Sequence, residues 1–204
     1  MKKLLLILVL IIATVCVYYF STKNKTHKNK AAKQVPLALK IHSAAFNTSV
    51  DNAMDAYLDM KNAFVDADTA NAKSNARSFI KYLDSIPVIE LKNDTAMIFE
   101  TAASTIMDIK SNAESLLQQT DITEMRRDFS MVTEMLYPAF FKTINYEGEN
   151  LYFQHCPMAF DDDKGANWIS DNKEIINPYL GKKHPKYKGS MLHCGETKDT
   201  IKAQ

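Results

Sequence analysis

Apolar residues recur every three or four positions in four stretches between Pro36 and Glu147. This spacing places them on one face of a helix, so we expect four amphipathic helices. The second stretch follows Thr69 and closes at Pro87, and Pro138 predicts a kink in the fourth. The short connections favour an antiparallel up-and-down four-helix bundle, which makes the fold mainly α.

Seven methionines fall within these stretches. At helical spacing they are expected to fill irregular gaps in the bundle core rather than to form a methionine stripe that binds metal. They are Met54, Met60, Met97, Met107, Met125, Met131 and Met135.

The pattern changes after Gly148. Residues 151–154, Leu-Tyr-Phe-Gln, favour a strand, and Gly, Pro, Asn and Asp interrupt the remainder of the chain. We therefore divide the body into a helical bundle over residues 36–147 and a loop-rich appendage with short strands over residues 148–204, packed on the bundle. Because the bundle carries nearly all the helical apolar stripes, it is expected to fold without the appendage.

The N-terminus differs from everything that follows it. Met1-Lys2-Lys3 precedes a run over residues 4–20 that is apolar or aromatic apart from Thr14. The length of this run lies at the short edge of what spans a bilayer core, and no small-residue cleavage pattern follows it. We predict a signal anchor over residues 1–20. A cleaved signal peptide and a lipoprotein signal at Cys16 are the alternatives.

Residues 21–35 are polar and rich in lysine, which predicts a flexible basic tether. With an anchor in the inner membrane, the body is expected to be periplasmic, or exported if the signal is cleaved. Two cysteines outside the apolar run suit such an oxidising compartment. The lysines that follow the run favour the opposite orientation, because positive charges tend to stay in the cytoplasm.

Charge and motifs exclude several functions. The formal net charge is +1, so no overall field recruits nucleic acid, and we expect no nucleic-acid partner. The G-x-S-x-G, H-E-x-x-H, P-loop and dinucleotide-binding patterns do not occur in the sequence. We therefore expect a protein that is not an enzyme.

Two clusters in the appendage carry soft ligands, His155-Cys156-Pro157-Met158 and Met191-Leu192-His193-Cys194-Gly195. The sulfur residues stand two apart in the first cluster and share a face on a strand, whereas those of the second stand three apart and converge on a turn. Thiolate and thioether ligands select Cu(I), and added imidazoles shift the preference toward zinc. The predicted metal ligands are Cys156, Met158, Met191 and Cys194, with His155 and His193 as further candidates.

A disulfide between Cys156 and Cys194 is the alternative. It would close a loop of roughly forty residues and contribute about 3–4 kcal/mol by the chain-entropy estimate. The protein would then be a disulfide-stapled interaction module without metal. Either a face of the bundle or the segment Asn177-Pro178-Tyr179 would contact the partner.

Four motifs in the appendage resemble a known family. Q-H-C-P-M-A-F, K-G-A-N-W-I-S, E-I-I-N-P-Y-L-G and M-L-H-C-G-E are similar to an uncharacterised bacterial periplasmic domain, which occurs alone or fused to adaptor subunits of copper/silver-type heavy-metal efflux pumps. The resemblance covers about residues 45–197. It implies a helical, non-enzymatic periplasmic domain with a heavy-metal efflux system as its partner, and it carries a functional role onto Cys156, Met158, Met191 and Cys194.

Overall fold

A computed structural model of the protein describes residues 41–161 and 164–202. The signal anchor over residues 1–20 and the tether over residues 21–35 lie outside the described residues, so both stay predictions. Within the described ranges, no helix combines the length and the apolar character needed to cross a membrane.

Four long helices form the first part of the described chain. They are α1 (Ala44–Val65), α2 (Thr69–Ser85), α3 (Ala96–Gln118) and α4 (Ile122–Glu134). A short 3-10 helix, Val88–Asn93, connects α2 to α3. A wide helical turn, Met135–Phe140, continues α4 into the short helix α5 (Phe141–Ile144). The prediction of a mainly α protein with four amphipathic helices is confirmed.

Each long helix begins with a polar side chain that accepts a hydrogen bond from a free backbone N–H of the first turn. The caps are Ser43, Asp68, Thr95 and Asp121. Such caps satisfy donors that have no partner inside the helix. They fix where the helices start. The predicted kink lies before Pro138, where Tyr137 leaves helical geometry (φ −133°, ψ 130°).

Neighbouring helices pack on one another in sequence order, α1 on α2, α2 on α3 and α3 on α4. The side chains of α1 and α4 also meet, because the Phe129 ring lies 5.0 Å from the Tyr57 ring and 5.2 Å from the Phe64 ring. These contacts form one apolar core. The up-and-down topology of the bundle stays a prediction.

The seven methionines differ in burial, and Met135 is partly buried against the core. Met54, Met60 and Met125 are buried as expected, whereas Met97, Met107 and Met131 are exposed. The core-filling expectation is therefore wrong for the exposed three. On α3, Met97 and Met107 are each one position away from a buried isoleucine. Adjacent residues of a helix are rotated by about 100°, so both methionine side chains point away from the core face.

The appendage contains a three-stranded antiparallel sheet in the order β2–β1–β3, which confirms the predicted short strands. The strands are β1 (Leu151–Asp161), β2 (Lys164–Ser170) and β3 (Glu196–Ile201). Strand β3 was not anticipated, because only its last residue is buried and it has no alternating apolar pattern. It forms by pairing with the free edge of β1.

A single core spans the helices and the sheet. At its centre the backbone N–H of Ile169 on β2 donates to the Tyr57 hydroxyl over 3.0 Å. That hydroxyl lies 2.7 Å from Thr133 Oγ1, which in turn donates to the carbonyl of Phe129. Because the Thr133 hydroxyl already donates its hydrogen to the Phe129 carbonyl, the Tyr57 hydroxyl is the donor in its hydrogen bond with Thr133. The independent folding of residues 36–147 stays a prediction.

Tyr57→Phe should therefore lower the free energy of unfolding by about 2–3 kcal/mol, since it leaves the buried Ile169 N–H without an acceptor and removes the hydrogen bond that Thr133 accepts. Urea unfolding of the full chain measures the change. Tyr82→Phe, which removes a hydroxyl from a half-buried side chain of α2, is the matched control and should change stability by less than about 0.5 kcal/mol. Equal effects of the two substitutions would show that the hydrogen bonds of the Tyr57 hydroxyl do not join the sheet to the helices.

Candidate functional site

The structure brings the two cysteines of the appendage together. Cys156 lies in the middle of β1 and is fully buried, whereas Cys194 lies in a turn before β3 and is partly exposed. Their Sγ atoms are 2.7 Å apart, and both cysteines are unbridged. One sulfur of the pair is thus closed off from solvent and the other is accessible.

Two small residues of β2 pack closely against β1 around Cys156. Ala166 is the cross-strand partner of Cys156, so only a methyl group stands beside the thiol. At Gly165, an added Cβ would lie 2.6 Å from His155 Cε1 and 2.9 Å from the Cys156 carbonyl oxygen. The Lys-Gly-Ala-Asn-Trp stretch is therefore constrained by close packing against β1.

The backbone around Cys194 is held on both sides. The Cys194 N–H donates to the Met191 carbonyl over 3.0 Å, which closes a turn between the two residues. The convergence of their sulfur atoms stays a prediction. Gly195 has φ +143°, and an added Cβ would lie 2.6 Å from the His155 carbonyl oxygen and 2.9 Å from the Trp168 ring. Only glycine allows the chain to pass this close to β1.

Asn177 fixes the position of the Cys194 turn from the other side. Its backbone N–H donates to the Leu192 carbonyl over 2.8 Å, and its Nδ2 donates to the Cys194 carbonyl over 2.9 Å. Its Oδ1 accepts from the N–H groups of Tyr179 and Leu180. Every polar group of this buried amide therefore has a partner inside the appendage.

The same contacts correct one expectation. Asn177, Pro178 and Tyr179 are buried, so this segment does not offer a surface to a partner. The Tyr179 ring instead packs against Phe129, Phe160 and Trp168.

The other predicted ligands occupy different surroundings. Met158 lies two residues after Cys156 on β1, and both Met158 and Met191 are partly buried against the core. His155 faces the other side of the sheet, where its Nδ1 donates to Asn167 Oδ1 over 2.8 Å. Exposed His193 donates from Nδ1 to the Ile175 carbonyl over 2.9 Å. The two histidines thus have partners of their own.

Across residues 41–161 and 164–202, no three side chains of Cys, His, Asp or Glu come close enough to share a metal ion. Methionine sulfur is not among these side chains. Among the predicted ligands, the two thiols are in contact with each other. Met158 and Met191 stand two and three residues from these cysteines in the sequence.

The environment of the pair disfavours a free thiolate. Burial, together with the hydrogen bond and the charge of Cys156, raises the pKa of Cys194 to about 12. The thiol of Cys194 is therefore protonated at neutral pH, and a metal ion or an oxidant must displace its proton.

Comparison with known proteins bears only on the helical part. Residues 53–146, less than half of the chain, match a family described as protein of unknown function (DUF3347). The match ends before β1, so it does not reach either cysteine of the pair. No curated protein and no solved structure matches the chain.

Gly195→Ala should lower the free energy of unfolding by about 2–4 kcal/mol, because the new methyl group meets the His155 carbonyl and the residue has a left-handed φ. Trp168, the only tryptophan of the chain, touches Gly195, so its emission during urea unfolding reports the change. Gly189→Ala is the control: the nearest atom would lie 3.6 Å from its Cβ, and the change should stay within about 0.5 kcal/mol. A Gly195→Ala protein as stable as the control would contradict the packing described above.

Proposed function

We propose that the protein binds a soft metal ion in the periplasm, and that its cargo is one Cu(I) ion held by Cys156 and Cys194. The observation that carries this proposal is the contact between the two Sγ atoms, which come from opposite ends of the appendage. Thiolates are the ligands that monovalent copper prefers. The protein then acts in metal handling or efflux, without enzymatic activity, on a four-helix scaffold of up-and-down topology.

Binding requires the sulfurs to separate. Metal–thiolate bonds of about 2.3 Å, as in zinc sites, hold two sulfurs farther apart than 2.7 Å at tetrahedral or wider angles. Cys194 is the ligand that moves, since it lies in a turn and is partly exposed, whereas Cys156 is enclosed within β1. Movement of this turn also brings Met191 along, because the two residues share the hydrogen bond of the turn.

A third ligand comes from a thioether. Met158 stands on the same strand as Cys156, and Met191 on the same turn as Cys194. Zn(II) is a weaker candidate than Cu(I), because in the described residues neither His155 nor His193 lies close enough to the two cysteines to complete a group of three ligands. The N-terminal segment would hold the domain at the inner membrane, where a heavy-metal efflux system is the expected partner.

The second candidate is a disulfide-stapled interaction module without metal. The short Sγ–Sγ distance favours it too, as does the high pKa of Cys194, because a disulfide carries no charge into the apolar surroundings. In an oxidising compartment the two thiols would each give up a hydrogen to a disulfide-bearing oxidant, which is reduced to two thiols as the Cys156–Cys194 bond forms.

Titration of the reduced full chain with Cu(I), against a chromophoric chelator, tests the metal proposal. We expect one ion per chain, with binding lost in Cys156→Ser and in Cys194→Ser. Met158→Leu should weaken binding about tenfold, a magnitude typical of loss of a supporting interaction at a metal site. Met97→Leu, at an exposed methionine of α3, is the control and should leave the affinity unchanged.

The same titration separates the two candidates. If the reduced protein competes no better than the variant with both cysteines replaced by serine, the metal proposal is wrong. A protein isolated fully oxidised, with a melting temperature that falls on reduction, would then support the disulfide module.

A further inference from the structure

The loop over residues 182–188 concentrates positive charge at one place on the surface. Four of its seven residues are lysines with exposed side chains, Lys182, Lys183, Lys186 and Lys188. Lys182 pairs with Asp66 over 2.7 Å, although both side chains remain about half exposed. The loop contains no acidic residue.

His184 holds this loop in one conformation. Its Nδ1 accepts from the backbone N–H groups of Lys186 and Tyr187, and its ring stacks on Tyr187 at 5.0 Å. Its carbonyl accepts from the Lys188 N–H over 2.8 Å. Burial, and then the charges of Arg126 and the neighbouring lysines, lower the pKa of His184, which suits an imidazole whose Nδ1 is an acceptor. The lysines are therefore presented by an ordered backbone.

A buried guanidinium lies beneath the start of the loop. Arg126 Nη2 donates to the Phe64 carbonyl over 2.7 Å, and an added Cβ at Gly181 would lie 3.2 Å from the same Nη2. The Nε atom of Arg126 is buried without a hydrogen-bond partner. Burial lowers the pKa of Arg126 to about 10, so the group stays charged at neutral pH and adds to the field of the lysines.

The charge of the loop contrasts with that of the folded body. The full chain has 25 Lys and Arg residues and 24 Asp and Glu residues. Eight of the basic residues and none of the acidic ones lie in residues 1–40. Residues 41–204 therefore contain 17 basic and 24 acidic residues, a formal net charge of −7. An acidic partner is repelled by the body as a whole. Within the described body, attraction is consequently concentrated at the loop, which gives the contact a defined orientation.

The charge of the body favours an acidic protein segment over an anionic membrane. A membrane is an extended surface that would face the acidic body as well as the loop, whereas a short acidic segment can contact the loop alone. The loop starts at the C-terminal end of α1, where the Lys182 N–H donates to the Val65 carbonyl.

We infer that the loop over residues 182–188 is a docking surface for an acidic segment of a protein partner, whose carboxylates pair with the four lysines. This loop precedes Met191 and Cys194 along the chain, so the docking surface and the accessible sulfur of the thiol pair belong to the same segment of the appendage. The docking surface itself does not depend on whether that pair binds metal.

A fluorescent oligoglutamate peptide serves as the probe, with its binding to the full chain followed by anisotropy at low salt. Replacing Lys182, Lys183, Lys186 and Lys188 together by Gln should weaken binding about tenfold or more, and the difference should shrink as salt screens the charges. The control removes the same number of charges elsewhere, by Gln at exposed Lys81, Lys164, Lys173 and Lys202. It should weaken binding less than about threefold.

Two results would overturn the inference. Equal weakening in the two four-lysine variants would mean that only total charge matters. Displacement of the peptide by short-chain phosphatidylglycerol at lower concentration than by unlabelled oligoglutamate would assign the loop to a lipid surface instead.

Discussion

The buried hydroxyl of Tyr57 joins the two parts of this protein. It accepts a hydrogen bond from Ile169 of the sheet and donates to Thr133 of α4, so one side chain of α1 binds both neighbours. The appendage is rich in loops and shares its apolar core with the helices instead of building one of its own. The position of the sheet, and with it the position of Cys156, depends on this junction.

The thiol pair depends on a second constraint, which is the close passage of the Cys194–Gly195 backbone over β1. Gly195 allows the approach, and Asn177 holds the turn by its bond to the Cys194 carbonyl. The resulting site is apolar and has one enclosed and one accessible sulfur. These properties suit a soft ion or a disulfide better than a hard cation, which requires oxygen ligands.

The helices could be predicted from the sequence because their apolar stripes and caps are local signals. The pairing of Cys156 with Cys194 could be proposed for a similar reason, since each stands in a short cluster of sulfur residues. The role of Asn177 could not be predicted, because its partners Leu192 and Cys194 are distant in sequence. Strand β3 and the exposure of Met97 and Met107 likewise depend on tertiary packing, which periodicity alone does not determine.

X-ray absorption at the copper edge of the Cu(I)-loaded, reduced full chain tests the central claim most directly. The account predicts a first coordination shell made of sulfur alone, because Cys156 and Cys194 are adjacent and, in the described residues, no histidine completes a ligand group with them. Nitrogen scatterers in that shell, or a copper environment unchanged when both cysteines are replaced by serine, would contradict it.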